Sequence, residues 1–403
     1  MKASLQGLRS WLTLELAAVL MGCSFVFLAM GMLNPMLPLF FREGGVDAGT
    51  IGLLFLAMTF AFAVSELFWG WMVDRIDLRI AMLMGTLILG LATATYQISP
   101  NLSVFFLASA LLGLFRSPLI VVGRWYMGVN APPSRKALAM ASLSTIFSLA
   151  LSVGGFVSGF IADAYGYRSV IWLAAALPFV AGITLAIASP WLNLRKRRFE
   201  EEGASSAGER AGGSRFSSLS IAVWLGMLAI TYFITFGIFF TYLPLFTTDI
   251  VHGKNQQVGV LFGLRGLINA MALVPLSRLA DRIGRTKFIT VGLAVIALSM
   301  VGIALANSYP TILVWVVVYS LGTSMYQPAG IAVLSERIPA GRQGTAIGIY
   351  GMFEDVGWMI GPAVGGILWD TAGARAPFVM AAGAAVVGAA LSVFFSRRVL
   401  SKG

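Results

Sequence analysis

The stretch GWMVDRIDLR, residues 70–79, sets Asp74, Arg75, Asp77 and Arg79 within ten positions of a chain that is only 11% charged. Apolar runs of roughly twenty residues flank it on both sides, the length a helix needs to cross about 30 Å of hydrocarbon. A near-copy, SRLADRIGRT, returns at 277–286. A short charged connection between long apolar runs, occurring twice, reads as an inter-helix loop of a polytopic membrane protein.

Composition agrees. The chain is 58% hydrophobic with a mean hydropathy of +0.86, whereas soluble domains use about 45–50% apolar residues. Cys23 is the single cysteine and lies in an apolar run, which rules out an intramolecular disulfide or a Cys-rich metal site. His252 is the single histidine, in the polar connection DIVHGKNQQ, so H-E-x-x-H zinc chemistry is absent and a solvated loop position is expected. There is no P-loop, no G-x-S-x-G and no spaced G-x-G-x-x-G. An intramembrane enzyme should gather a nucleophile and a base at one depth, and a receptor should carry a sizeable soluble domain. Neither feature is present. The expectation is a protein that is not an enzyme and has no cofactor or metal.

Counting runs long enough to span predicts twelve helices near 12–40, 50–73, 79–99, 101–127, 135–161, 169–191, 218–247, 256–280, 287–306, 310–334, 342–368 and 376–396. The first run is too long for a signal-peptide core and is read as a retained span. With the N-terminus inside, 21 of the 28 Lys and Arg fall on the cytoplasmic side, four outside (Arg42, Arg168, Lys254, Arg375) and three within spans (Arg116, Arg124, Arg265). This is the positive-inside bias. It accounts for the net charge of +11 without nucleic acid as a partner. The segment 194–217 is rich in Gly, Ser and mixed charge and reads as a cytoplasmic linker. It separates an N-terminal six-helix bundle, 1–193, from a C-terminal one, 218–403.

The two charged clusters stand 207 residues apart, and other residues keep that offset. Gly52 matches Gly259, Asp74 matches Asp281, Arg75 matches Arg282, Pro132 matches Pro339 and Arg135 matches Arg342. Gly154, Gly159, Asp163 and Arg168 match Gly361, Gly366, Asp370 and Arg375. LPLF at 37–40 recurs at 243–246, one residue out of step. The chain is a duplicated six-helix unit, and since six is even the copies enter the membrane in the same sense. Parallel repeats of this kind place a substrate site between the halves near the midplane.

GWMVDRI and ADRIGRTK, each after the second helix of its half, resemble the Gly-x-x-x-Asp-Arg-x-Gly-Arg-Lys signature of the major facilitator superfamily. GPAVGG at 361–366 is similar to that family's Gly-Pro-x-x-Gly-Gly motif. The departures are Asp77 and Leu78 in the first copy and Ser277 in the second, and SVGGFVSG at 152–159 lacks the antiporter motif's Pro. The resemblance covers essentially the whole chain. It implies an all-α integral membrane protein of twelve transmembrane helices in two parallel six-helix repeats, working by alternating access. It also implies that Asp74 and Arg75, with Asp281 and Arg282, clamp the cytoplasmic side closed. Alternatively, these loops only fix topology.

Ionisable residues within spans are costly and normally face a cavity or one another. Glu15 and Arg124 lie near helix ends and snorkel. Glu354, Asp355 and Glu66 are the proton-coupling candidates, the first two because adjacent carboxylates in low dielectric favour proton uptake, while Glu66 is alternatively part of the interdomain latch. Glu354 falls on the face of Gly357, Gly361 and Gly365, whereas Asp355 points about 100° away. Arg265 and Glu354 are alternatively a buried packing pair. Arg116, where the repeat has Thr323, is a candidate for substrate binding, as is Arg265. By resemblance, Asn34, Tyr242, Tyr326 and Gln327 line the central cavity and offer hydrogen bonds.

The expectation is a secondary transporter that exports small amphipathic organic compounds in exchange for protons. The alternative is uptake or exchange of a small organic anion recognised by intramembrane Arg. Its partners are a small-molecule substrate, protons and the lipid bilayer. The expected form is a monomer in the bacterial plasma (inner) membrane, with both termini cytoplasmic.

Overall fold

The computed structural model describes residues 14–72, 75, 78–130, 136–188, 215–337 and 343–400, and among them it is entirely helical. In chain order the helices are α1 (Leu14–Glu43), α2 (Ala48–Met72), α3 (Leu78–Ala94), α4 (Leu102–Asn130), α5 (136–165) and α6 (167–188). There follow α7 (Arg215–Leu245), α8 (Asn255–Ile283), α9 (Arg285–Ala304), α10 (Tyr309–Arg337), α11 (Gln343–Ala372) and α12 (Ala376–Leu400). A short 3₁₀ turn, Thr95–Gln97, follows α3, and a π-helical turn, Phe246–Ile250, follows α7. Twelve helices thus stand where the apolar runs predict them.

The duplication is visible in the turns. α5 and α6 form one helical run broken at Gly166, whose φ of 80° only a residue without Cβ adopts easily. The position 207 residues on is Gly373, φ 96°, between α11 and α12. Between α1 and α2 the turn residue is Gly45, φ 80°, and its counterpart between α7 and α8 is His252, φ 56°. His252 is exposed, as the sequence predicts, and it holds a left-handed conformation that its repeat partner meets with glycine.

Among the described residues, seven helical segments are long and apolar enough to cross a membrane, and α8 makes an eighth if its two arms, bent by 51° at Pro275, are taken together. One of the seven, 145–187, contains both α5 and α6. The helices outside the seven are α4, α8, α10 and α11. These carry Arg116, Arg265, the Tyr326–Gln327 pair and the Glu354–Asp355 pair; α4 nonetheless has an apolar stretch, Leu102–Ser117, and α8 is interrupted by its bend.

The chain divides into two compact units. The first gathers Met1–Val46, Ala57–Lys196 and Lys254–Gly266; the second gathers Asp47–Leu56, Arg197–Gly253 and Leu267–Gly403. In the first, α1 packs along the run 136–188, and α3 packs on that run and on α4. In the second, α7 packs on α11 and α12, and α9 on α10 and α12. The contacts are the same ones moved along by one repeat. At the α1–α5 crossing a Cβ on Gly154 would collide with the Leu28 carbonyl. At the α7–α11 crossing a Cβ on Gly361 would stand 2.6 Å from the Ile234 carbonyl. Small residues let these backbones touch, which is how helices associate where lipid removes the hydrophobic drive.

Candidate functional site

In the second unit, α11 presents Tyr350, Glu354 and Trp358 at four-residue intervals, so all three lie on one face. Tyr350 and Tyr326 of α10 share a side-chain hydrogen bond, and Glu354 acts electrostatically on both hydroxyls. The Tyr326 ring stacks on Tyr232 of α7, centroids 4.2 Å apart and planes 19° from parallel. One turn further along α11, Trp358 meets Phe236 edge to face at 4.9 Å, with Phe233 and Phe240 also against it. The result is a half-buried carboxylate within electrostatic reach of two phenol hydroxyls and one turn from an aromatic cluster. Hydroxyls stabilise a carboxylate by hydrogen bonding, and the flat rings accept an apolar or aromatic ligand face. Asp355, also half-buried, lies next to this constellation in sequence.

The glycine face of α11 does another job. Gly357 and Gly361 lie against Ile230 and Ile234 of α7, and Gly365 lies against the Tyr242 ring. The Tyr242 hydroxyl donates to the Pro362 carbonyl at 2.5 Å and stands 3.4 Å from that of Ala48. Tyr242 is fully buried, so this candidate for ligand binding is committed to fastening α7, α11 and the start of α2.

In the first unit, the Arg116 guanidinium of α4 lies over the Phe62 ring of α2, 5.1 Å from its centroid. One turn away Ser65 hydrogen-bonds to the Leu114 carbonyl and to Ser117, Oγ to Oγ 2.6 Å. The repeat offset turns Phe62, Arg116 and Ser117 into Asn269, Thr323 and Ser324. There Asn269 Oδ1 accepts from both hydroxyls, at 3.1 and 2.7 Å. The same contact is therefore cationic and aromatic in one unit and neutral and polar in the other. Arg265 and Glu66 are half-buried in the first unit, Asn34 is half-buried on α1, and Gln327 is exposed on α10. Glu354 belongs to the second unit.

Of the clamp residues, Asp74 lies outside the described residues. Arg75 is exposed, stacked over Trp71 at 3.8 Å and donating to the Trp71 carbonyl. Asp281 pairs with Arg285 one turn on, at 2.9 Å, with its side chain 57% exposed. Arg282 is exposed. Among the described residues no cluster of His, Cys, Asp or Glu fits a metal ion.

Sequence reasoning missed Tyr232, Tyr350, Trp358 and Asn269. The first three carry a usable signal, aromatic residues one turn on either side of Glu354 and a tyrosine paired with Tyr326. Asn269 is found only through the repeat, as the position matching Phe62.

A profile of the Major Facilitator Superfamily matches residues 19–255 and 225–402. The chain belongs to the major facilitator superfamily. The quinolone resistance protein NorA of Staphylococcus aureus is 23% identical over 367 residues, 90% of this chain and 92% of that protein. An MFS-type transporter of Methanocaldococcus jannaschii is 23% identical over 350 residues, 86% and 89% of the two chains. Among solved structures, a POT family transporter in complex with 5-aminolevulinic acid superposes with a TM-score of 0.79 at 12% identity, covering 95% of this chain and 96% of that one. The nucleoside transporter NupG gives 0.75 at 13%, covering 95% and 99%. The human organic anion transporter MFSD10 gives 0.67 at 18%, covering 94% and 99%. This superfamily member is a multi-pass membrane transporter of small molecules and not an enzyme.

Proposed function

We propose that this transporter exports small amphipathic organic compounds in exchange for protons. The observation that carries the reading is half-buried Glu354 on the face of α11 that holds Tyr350 one turn before it and Trp358, against Phe236, one turn after it. A protonated Glu354 is neutral and tolerates an apolar neighbour. Its deprotonated form is held by the two phenols and attracts the polar or cationic end of an amphipathic ligand. Ligand and proton then compete for one carboxylate, which is the elementary requirement of exchange. The similarity to a quinolone resistance protein points in the same direction. The reading includes the plasma membrane as location, both termini cytoplasmic, and a monomer as the working form.

A second reading, exchange of a small organic anion, is favoured by Arg116, half-buried with its guanidinium over Phe62 in the apolar stretch Leu102–Ser117 of α4. A bidentate bond to a carboxylate or phosphate suits that geometry.

Proteoliposomes loaded with a fluorescent quinolone separate the two. The export reading expects flux that requires a pH gradient and falls to background in Glu354→Gln, with Arg116→Ala retaining the gradient dependence. Equal flux with and without the gradient overturns it.

A further inference from the structure

The ends of α5 and α11 carry a second matched pair of carboxylates, Asp163 and Asp370, for which the export reading has no use. Each caps the start of a helix from the opposite repeat. Asp163 accepts from the backbone N–H of Asn255 at 3.1 Å and of Gln256 at 2.8 Å, the first residues of α8. Asp370 accepts from the N–H of Gly49 at 2.6 Å, in the first turn of α2. The two pairs are the same contact displaced by the repeat offset. A carboxylate on the unpaired N–H groups of a helix start is a charge-assisted bond and also opposes the positive end of the helix dipole.

The backbones are brought together for it. A Cβ on Gly159 would run into the Asn255 carbonyl and stand 2.9 Å from Gly259 Cα. At the matching site a Cβ on Gly366 would stand 2.6 Å from the Ala48 carbonyl and 2.8 Å from Gly49 Cα. Each of these contacts lies within one compact unit. Residues 47–56 of α2 belong to the second unit while the rest of α2 belongs to the first, and residues 254–266 of α8 belong to the first while the rest belongs to the second.

We propose that Asp163 and Asp370 form a paired catch that holds the first turns of α8 and α2 on the opposite repeat, at the end that carries the α1–α2 and α7–α8 turns, and that both caps release when transport opens that end. The inference rests on transport by alternating access. Opening must return the first turns of α2 and α8 to their own repeats, and the two caps are the charged bonds that stand in the way. The pair is not chemically even. α2 carries Asp47 as its own N-cap beside Asp370, whereas the matching position ahead of α8 is Lys254. Tyr167 adds a bond to Asn255 at 2.7 Å, at a position where the other repeat has Ala374.

The test uses double electron–electron resonance in a Cys23→Ala background, which removes the sole cysteine. Spin labels at 164 and 254 report the α5–α8 cap, and labels at 53 and 367 report the α2–α11 cap. The expected result is that Asp163→Ala and Asp370→Ala raise the long-distance fraction about five-fold, each at its own pair, as loss of a helix cap implies. Asp163→Asn and Asp370→Asn keep side-chain size and one acceptor oxygen, fold like the parent, and give a smaller shift in the same direction. Unchanged distance distributions in the folded Asn and Ala variants overturn the catch. Because the distances are read without substrate or gradient, a failure of the export reading leaves this result standing, and the reverse holds too.

Discussion

Tyr326 shows what a single side chain does in this site. It is fully buried, stacked on one tyrosine and hydrogen-bonded to another, with Glu354 acting on its hydroxyl. Tyr326→Phe keeps the ring stack and removes only the oxygen. The expected outcome is a thermal stability within a few degrees of the parent, a raised KM for the ligand and a shifted pH profile of transport, measured in proteoliposomes across pH 5–9. A profile identical to the parent's would place Tyr326 in packing alone. Of the cluster, Glu354 and Tyr326 are legible in sequence because ionisable and polar groups stand out in apolar helices. Tyr232 and Trp358 are not, because an aromatic in such a helix faces lipid far more often than a site. Tyr242 shows a second use of a phenol. Its hydroxyl advertises ligand binding, yet the backbone carbonyl of Pro362 takes it up, and nothing in the residue's identity distinguishes the two uses.

At the scale of the helix, ends carry more information than middles. α2 begins at Asp47, whose Oδ1 accepts the Thr50 N–H and whose Oδ2 accepts the Thr50 hydroxyl, both at 2.8 Å. The Thr50 N–H bond holds the Asp47 carboxyl below its usual range. A group lowered in the folded state contributes above the pKa it has when unfolded, about 3.9, and the contribution fades as pH falls through the folded value. Asp47→Ala is therefore expected to cost about 1 kcal/mol at pH 7, a typical cap. The gap to the parent, followed by thermal melts in detergent, is expected to close below about pH 4. Helix positions are read well from the sequence, because each span needs a run of apolar residues of fixed length. The partners of those ends are not, since Asp370 lies 321 residues from the N–H it accepts. Only the repeat offset, which singles out Asp163 and Asp370 together, hints that the two share a role.

Over the whole molecule, duplication organises nearly everything. The Gly154–Leu28 and Gly361–Ile234 crossings, the Gly166 and Gly373 turns, and the contacts of Arg116 and Thr323 are each one solution used twice. What duplication does not preserve is chemistry, and the differences fall at the polar positions, Arg116 against Thr323 and Asp47 against Lys254. The charge distribution of the loops makes a topological prediction at this scale. A green fluorescent protein fused after Gly403 is expected to fluoresce, and an alkaline phosphatase fused at the same place to be inactive. An active phosphatase fusion would invert the assignment of sides.

The four helices that carry the intramembrane arginines, the Glu354–Asp355 pair and Tyr326–Gln327, namely α4, α8, α10 and α11, bear on how the chain is made. A segment carrying arginine or paired carboxylates partitions poorly from the insertion machinery into lipid by itself. α4 packs on α3, α10 on α9 and α11 on α7, and in each pair the strongly apolar member is synthesised first. Each of these three segments, α4, α10 and α11, therefore leaves the ribosome with an apolar partner already in place. Birth order serves as the chaperone for the polar residues these helices carry.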